Sequence, residues 1–300
     1  MVFSPFIPTQ KLQLVRKIPA SFLREKWNES YQIDLPKNFG QKGVVFEMIC
    51  PKSDVTFFYP KNVFGKSDFY KKLSAANPYY QEEKWEYQEA LRFIPRASDV
   101  LEIGCGNGEF LSLCRFKKCQ LVGLELNRGI RNMDPKSLRI IHAPWEKYLI
   151  RKRARHSVIA AFQVLEHLPN PEIFFQRCAS SLRRGGVLIV GVPNKDSFIK
   201  DSFNLLDLPP HHMTRWSRKS FLVIAPRYGF QVVRIMNEPL APYHVDYYLD
   251  TQMEKMRRQR DWRRFIFKRP WRGLIRSLLL LGLRKKIRGQ TILAVLRKVK

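Results

Sequence analysis

From Asp99 onward the apolar residues of this chain arrive in short, nearly unbroken runs, each followed by a Gly or Asn turn and then by a stretch of helical period. Runs of that kind mark parallel strands covered on both faces and alternating with helices. They predict strands at Val100–Ile103, Gln120–Leu124, Leu138–His142, Val158–Phe162 and Val187–Val192. Asn170 before Pro171 predicts a helix start, a capping residue followed by proline at the first helical position, and Gly185–Gly186 predict its end. Two further strands are expected at Phe230–Met236 and Thr291–Arg297. The gap between them is too long for an ordinary connection and needs structure of its own. Its last part, Met256 to Arg288, carries many arginines and lysines against one acid, Asp261, and reads as part of a basic helical insertion over 242–289. Upstream, Asn77 to Ile94 reads as a helix that precedes the first strand and packs over the sheet edge. Residues 1–75, with no clear period, are assigned to a small N-terminal extension, and 76–300 to one doubly wound α/β domain.

Composition narrows the class. With 45% hydrophobic and 13% aromatic residues the chain is globular in type, not disordered. Its five cysteines, Cys50, Cys105, Cys114, Cys119 and Cys178, are odd in number and form no disulfide framework, which fits a reducing compartment. The opening residues carry two prolines and no basic stretch ahead of an apolar run, unlike a secretory signal. Leu278–Leu281, closed by Arg276 and Arg284, falls far short of the roughly 18 apolar residues a membrane span needs. A cytoplasmic position is therefore expected. The formal net charge of +28 changes the picture, because folding does not require it. It implies an acidic partner: an anionic membrane surface, a nucleic acid, or a phosphate-bearing substrate.

The strongest local signal is Val100-Leu-Glu-Ile-Gly-Cys-Gly-Asn-Gly108, where a strand runs into glycines at alternate positions. Such a loop lets the backbone turn sharply and lets a ligand approach with no Cβ in the way. The third glycine is too close for the dinucleotide pattern G-x-G-x-x-G, and Glu102 would repel a pyrophosphate. A carboxylate there suits a cofactor carrying an ammonium and a sulfonium. Glu125, at the end of the second strand, can accept two ribose hydroxyls and supports a nucleoside without naming it.

Leu-Glu-Ile-Gly-Cys-Gly-Asn-Gly, Gly-Leu-Glu at 123–125 and Val-Leu-Glu-His-Leu-Pro-Asn-Pro at 164–171 together resemble the class I S-adenosylmethionine-dependent methyltransferases, over roughly Tyr79 to Lys298. Leu208-Pro-Pro-His-His-Met-Thr-Arg-Trp-Ser217 resembles a branch often found near cell-surface polysaccharide and lipid biosynthesis. The resemblance implies a seven-stranded Rossmann-like sheet with an antiparallel last strand. It implies that Gly104, Cys105, Gly106, Asn107 and Gly108 wrap the methionine part of S-adenosylmethionine, with Glu102 near its amino group. Glu125 and Leu126 would meet the ribose side, Ala143, Pro144 and Trp145 would border the adenine, and Gln163 would face the transferring methyl. Two departures stand out. The family usually has an acid just before the fourth strand, where this chain has Arg-Lys-Arg-Ala-Arg-His at 151–156. Family members often carry paired N-terminal cysteines for zinc, where only Cys50 remains, so no structural zinc is expected.

Methyl transfer from a sulfonium needs alignment and exclusion of water, and a hydroxyl acceptor must also lose a proton. His211, His212 and His167 are the candidate bases, the first two in a proline-stiffened loop after the fifth strand. The same histidines can instead hydrogen-bond loops to the sheet, and Glu166–His167 can cap the following helix. Arg215 and Trp216 are candidates for acceptor binding, by a forked contact and by stacking, or they anchor the next helix. No set of Asp, His and Asn reads as a metal site, so none is expected. Residues 257–288 mix arginines with Trp262, Phe265 and Trp271 as a helix in a headgroup region does, or they form a lid over the sheet. The leading expectation is O-methylation of a hydroxyl on a sugar, glycan or lipid-linked acceptor, with the protein peripheral at the inner face of a membrane. The alternatives are an RNA methyltransferase and a non-catalytic binding module that keeps the fold.

Overall fold

The computed structural model describes residues 2–76, 84–130, 138–151, 155–259 and 271–299. In chain order its strands are β1 (Gln13–Pro19), β2 (Val44–Ile49), β3 (Thr56–Tyr59), β4 (Asp99–Ile103), β5 (Gln120–Leu124), β6 (Leu138–Ile141), β7 (His156–Phe162), β8 (Leu182–Pro193), β9 (Thr214–Arg215), β10 (Phe230–Pro239) and β11 (Arg288–Lys298). Seven of them form one sheet in the order β10-β11-β8-β7-β4-β5-β6. From β6 to β8 neighbours run parallel, and β11 lies antiparallel between β8 and β10. The doubly wound sheet with an antiparallel last strand is thus present.

Its central strands are apolar at consecutive positions because both faces are covered. Leu101, Ile103, Ile159 and Ala161 enter one core cluster, while Val100, Val158 and Ala160 enter the other. Successive side chains point to opposite faces, so a strand buried on both sides has no polar face to show. The helix that opens at Pro171 behind Asn170 forms as expected and ends at Ser181. Gly185 and Gly186 do not end it. Leu182 already pairs with His156 in the sheet, the register then jumps so that Val187 pairs beside Val158, and Gly185, at φ +76°, lies inside that irregularity. The helix ahead of β4 runs Trp85–Leu91 and ends short of Pro95. The expected beginning of that helix, 77–83, lies outside the described residues.

The N-terminal extension folds onto the main domain. β1, β2 and β3 form an antiparallel sheet whose fourth strand is β9, which follows the Pro-Pro-His-His loop. Trp27, on the helix Ala20–Tyr31, is fully buried and donates its indole N–H to the Pro209 carbonyl at 2.9 Å. Asp54 accepts from Lys195 at 2.7 Å and from Ser217 at 2.6 Å. These contacts hold the histidine loop from outside the large sheet.

Between β10 and β11 the helices Val245–Arg258 and Trp271–Leu280 meet over Leu240, Val245, Leu249 and Leu279. Arg272 pairs with Asp250 at 2.5 Å and Arg276 with Asp246 at 3.0 Å. No described helix is long and apolar enough to cross a membrane. Trp262 and Phe265, with the rest of 260–270, lie outside the described residues.

Candidate active site

β4 ends in a loop that only glycine permits. Gly104, Gly106 and Gly108 have φ of +72°, +51° and +87°, where a Cβ is strained. A Cβ on Gly104 would also stand 2.6 Å from Val164 Cγ2, and one on Gly108 would run into Leu138. The amides of Gly104 and Cys105 donate to the Leu124 carbonyl at 2.8 and 3.1 Å, which fixes the loop to the end of β5. Glu125 accepts from the amide of Gly106 at 3.1 Å and from that of Asn127 at 2.8 Å. The carboxylate expected at the ribose therefore also ties the two loops together. Leu126 is exposed beside it. Cys105 is buried over Gly123, which has no room for a Cβ, and burial pushes its thiol pKa far up. It fills space and is not a nucleophile.

Glu102 is 1% exposed, and its Oε2 has no hydrogen-bond partner among the described residues. Burial holds its pKa well above the usual range, Lys84 opposes that, and Glu109, Glu125 and Glu86 reinforce it. An orphaned carboxylate at the strand end, a glycine cradle and a carboxylate on the neighbouring strand fit a ligand with a cationic group and a ribose. The adenine border needs correcting in part. Ala143 and Pro144 are accessible, but Trp145 is buried against Phe174 with ring centroids 5.7 Å apart.

Gln163 closes β7 at φ +55° and faces a cavity of 390 Å³. Its amide donates to Glu86 Oε2 at 3.0 Å. Burial raises the Glu86 pKa to about 7. Across the cavity, His212 Nδ1 lies 3.4 Å from Asp207, and Arg215 lies 3.8 Å from Asp207 and 3.6 Å from Glu47. Burial opposes ionisation of Asp207, but the contact with His212 and the charge of Arg215 still hold its pKa below the usual value.

The three predicted histidines come together but face different surroundings. His212 lines the cavity. His211 is 2% exposed, packs near Trp27 and Phe69, and sets Nδ1 2.8 Å from the Leu206 carbonyl. His167 sets Nδ1 2.7 Å from the His211 carbonyl, and burial, with His212 beside it, lowers its pKa to about 3. Arg215 reaches the cavity, whereas Trp216 does not. Trp216 is fully buried, stacks on Phe221 and donates to Thr214 Oγ1 at 2.8 Å, so it belongs to the core and not to an acceptor site. Glu86, Asp207 and Asn194 line the cavity without having been predicted. Asp207, a lone acid just before the Pro-Pro pair, was the one with a visible signal.

Comparison with known proteins places this geometry. A probable S-adenosylmethionine-dependent methyltransferase of Mycobacterium tuberculosis is 31% identical over 132 residues, 42% of this chain and 46% of its own. A ubiquinone biosynthesis O-methyltransferase of Bradyrhizobium diazoefficiens is 26% identical over 122 residues, 39% of this chain and 47% of its own. The chain thus spans about half the length of these curated relatives. Among solved structures, a SAM-dependent methyltransferase from Archaeoglobus fulgidus has a TM-score of 0.50 at 17% identity, covering 70% of this chain and 90% of that one, a likeness of fold. S-adenosylmethionine is named for the mycobacterial relative, and the glycine loop with the buried Glu102 carboxylate has the chemistry to hold such a group. The family described as "Methyltransferase domain" matches residues 79–235, more than half of the 300, and the chain belongs to it.

Proposed function

We propose that the protein methylates a hydroxyl of a sugar, glycan or lipid-linked acceptor held in the cavity between Gln163 and His212. The observation that carries this reading is the Asp207–His212 pair inside a cavity that begins beside Gln163, the residue expected at the methyl. S-adenosylmethionine supplies a methyl on a sulfonium. Around it, Glu125 would accept the ribose hydroxyls, Glu102 would meet the ammonium, and the glycine loop would admit the chain between them. On the acceptor side, His212 takes the hydroxyl's proton at Nε2, which has no hydrogen-bond partner among the described residues, while Asp207 fixes the ring's tautomer and steadies the imidazolium. Asn194, Lys195 and Arg215 offer donors suited to hydroxyls or a phosphate.

A membrane-bound acceptor is favoured by the helix Trp271–Leu280. Trp271, Leu274, Leu278 and Leu281 are all exposed at spacings that place them on one face, and Arg284, Lys285 and Lys286 follow. RNA as acceptor draws support from the net charge alone, and apolar side chains on the same helix argue against it. A non-catalytic module would not need the glycine loop and Glu125 together.

The test is a labelled-methyl assay against lipid, glycan and RNA extracts, with His212→Asn alongside. Label should enter lipid or glycan, and the variant should lose about 10²- to 10⁴-fold in turnover with cofactor affinity unchanged. Label in RNA, or full activity of the variant, would overturn the acceptor or the base respectively. No binding of S-adenosylmethionine would overturn the enzyme reading itself.

A further inference from the structure

The sequence reading expected no metal site, yet the fold gathers His167, His211 and His212 from two segments 44 residues apart. One ring nitrogen of each lies within 4.8 Å of the others. Their ring centroids are 4.7, 5.1 and 4.4 Å apart. We propose that these three imidazoles form a binding site for a divalent transition metal of the zinc type, with Glu166 next to His167.

The outer contacts of the rings carry the argument. His167 Nδ1 sits 2.7 Å from the His211 carbonyl, His211 Nδ1 2.8 Å from the Leu206 carbonyl, and His212 Nδ1 3.4 Å from the Asp207 carboxylate. Carbonyl oxygens only accept, so a neutral His211 carries its hydrogen on Nδ1; His167 faces the His211 carbonyl with Nδ1 and the Gln163 carbonyl as well, and His212, with Nδ1 turned to Asp207, leaves Nε2 without a partner among the described residues. Holding Nδ1 on a carbonyl or carboxylate is how proteins orient histidines whose other nitrogen binds a metal. His167 and His211 have such a hydrogen bond, and His212 has a carboxylate at 3.4 Å.

A second observation is independent of the rings. Glu166 is 1% exposed, and neither of its oxygens has a hydrogen-bond partner among the described residues. Its Oε1 lies 3.8 Å from His167 Nε2, too far for a hydrogen bond that would satisfy both. His212 Nε2 is likewise buried without a partner. A cation among the three rings would bind the His212 Nε2 lone pair and offset the charge that burial makes costly for Glu166 beside His167.

The donor set selects the metal class. Three imidazole nitrogens suit zinc and its neighbours, while magnesium and calcium prefer sets made wholly of oxygens. Tetrahedral zinc with Zn–N of about 2.1 Å holds its ligand atoms about 3.4 Å apart. The imidazoles therefore need only close in from their present separation. Because His212 also lines the cavity, a metal there would stand at its wall, where it would acidify an acceptor hydroxyl in place of the free imidazole. That last role rests on the methyl-transfer reading, whereas binding of the metal does not.

The full chain, stripped with chelator, is titrated with Co²⁺ and then with Zn²⁺. The expected result is one cobalt per chain with the visible bands of a tetrahedral nitrogen-rich site, displaced by zinc. His212→Gln and His167→Gln should weaken binding by more than about 100-fold, and Asp207→Asn by about 10- to 100-fold. Cys119→Ser, which alters the least buried thiol, should leave it unchanged. Circular dichroism identifies any variant that fails to fold. Since His212 and Asp207 lie at the cavity wall, that pair keeps the test open if His167→Gln unfolds. Absence of the cobalt bands, or bands indifferent to His212→Gln in a folded protein, overturns the proposal. Calorimetry with S-adenosylmethionine on the same stripped samples reports the methyltransferase reading separately, so the two can fail independently.

Discussion

Glu86 sits on the helix before β4, 3% exposed, where burial lifts its carboxyl to about 7 and Gln163 donates to it. The folded chain therefore keeps a proton that the unfolded chain releases near pH 4.3. Stability from this group is complete below that pH, falls as pH rises through about 7, and is flat above. Glu86→Gln should remove the slope and make the protein more stable at pH 8, by up to about 3 kcal/mol, with little change at pH 4. Urea denaturation at both pH values checks this, and an unaltered slope would show that Glu86 does not hold the proton. Trp216 is the opposite case. Its place after Thr-Arg suggested an acceptor clamp because a sequence gives a side chain's identity and not its direction. Fully buried on Phe221, it should cost about 3–5 kcal/mol of stability when changed to Ala. A stable variant with only a raised acceptor KM would restore the earlier reading.

At the level of elements, legibility followed distance along the chain. The glycine loop lies within a few residues of β4, and β4, β7 and β8 declare themselves by unbroken apolar runs, so both could be read directly. The N-terminal sheet could not. Six of the seven residues of β1 are exposed, and β9 contributes only two residues, so no alternation is present to detect. The histidine cluster was invisible for a related reason: its geometry exists only once the loop carrying His211 has docked on His167. Glu125 sits between these extremes, expected from the sequence at a ribose and found in the structure as the acceptor of two backbone amides, which no local pattern announces. Glu125→Ala should consequently lose both functions, weakening S-adenosylmethionine by about 10- to 100-fold in a calorimetric titration while the fold persists. Affinity within twofold of the parent would displace the ribose site from β5.

Over the whole molecule, the excess of positive charge meets an apolar surface on one helix. Leu279 faces the core, but Leu278 and Leu281 are 42% and 84% exposed, so replacing these two with Ser should leave the fold intact and release the protein from acidic vesicles. Flotation of the parent should need acidic lipid and weaken as salt shortens the screening length from about 10 Å at 0.1 M to about 3 Å at 1 M. The apolar part survives salt. Flotation indifferent to the double substitution would remove the membrane from the picture. The position of β11 carries a different consequence. It lies between β10 and β8, so β10 touches the large sheet only through a strand that follows it by some fifty residues of chain. On the ribosome, β4 to β8 can assemble as they emerge, but β10 must wait outside, with an unpaired edge, until residue 298 has cleared the exit tunnel. β11 then inserts as a strand into a slot that is already bordered on one side by β8, and a chain stalled in the basic insertion would expose the edge of β8 to its neighbours on the same message.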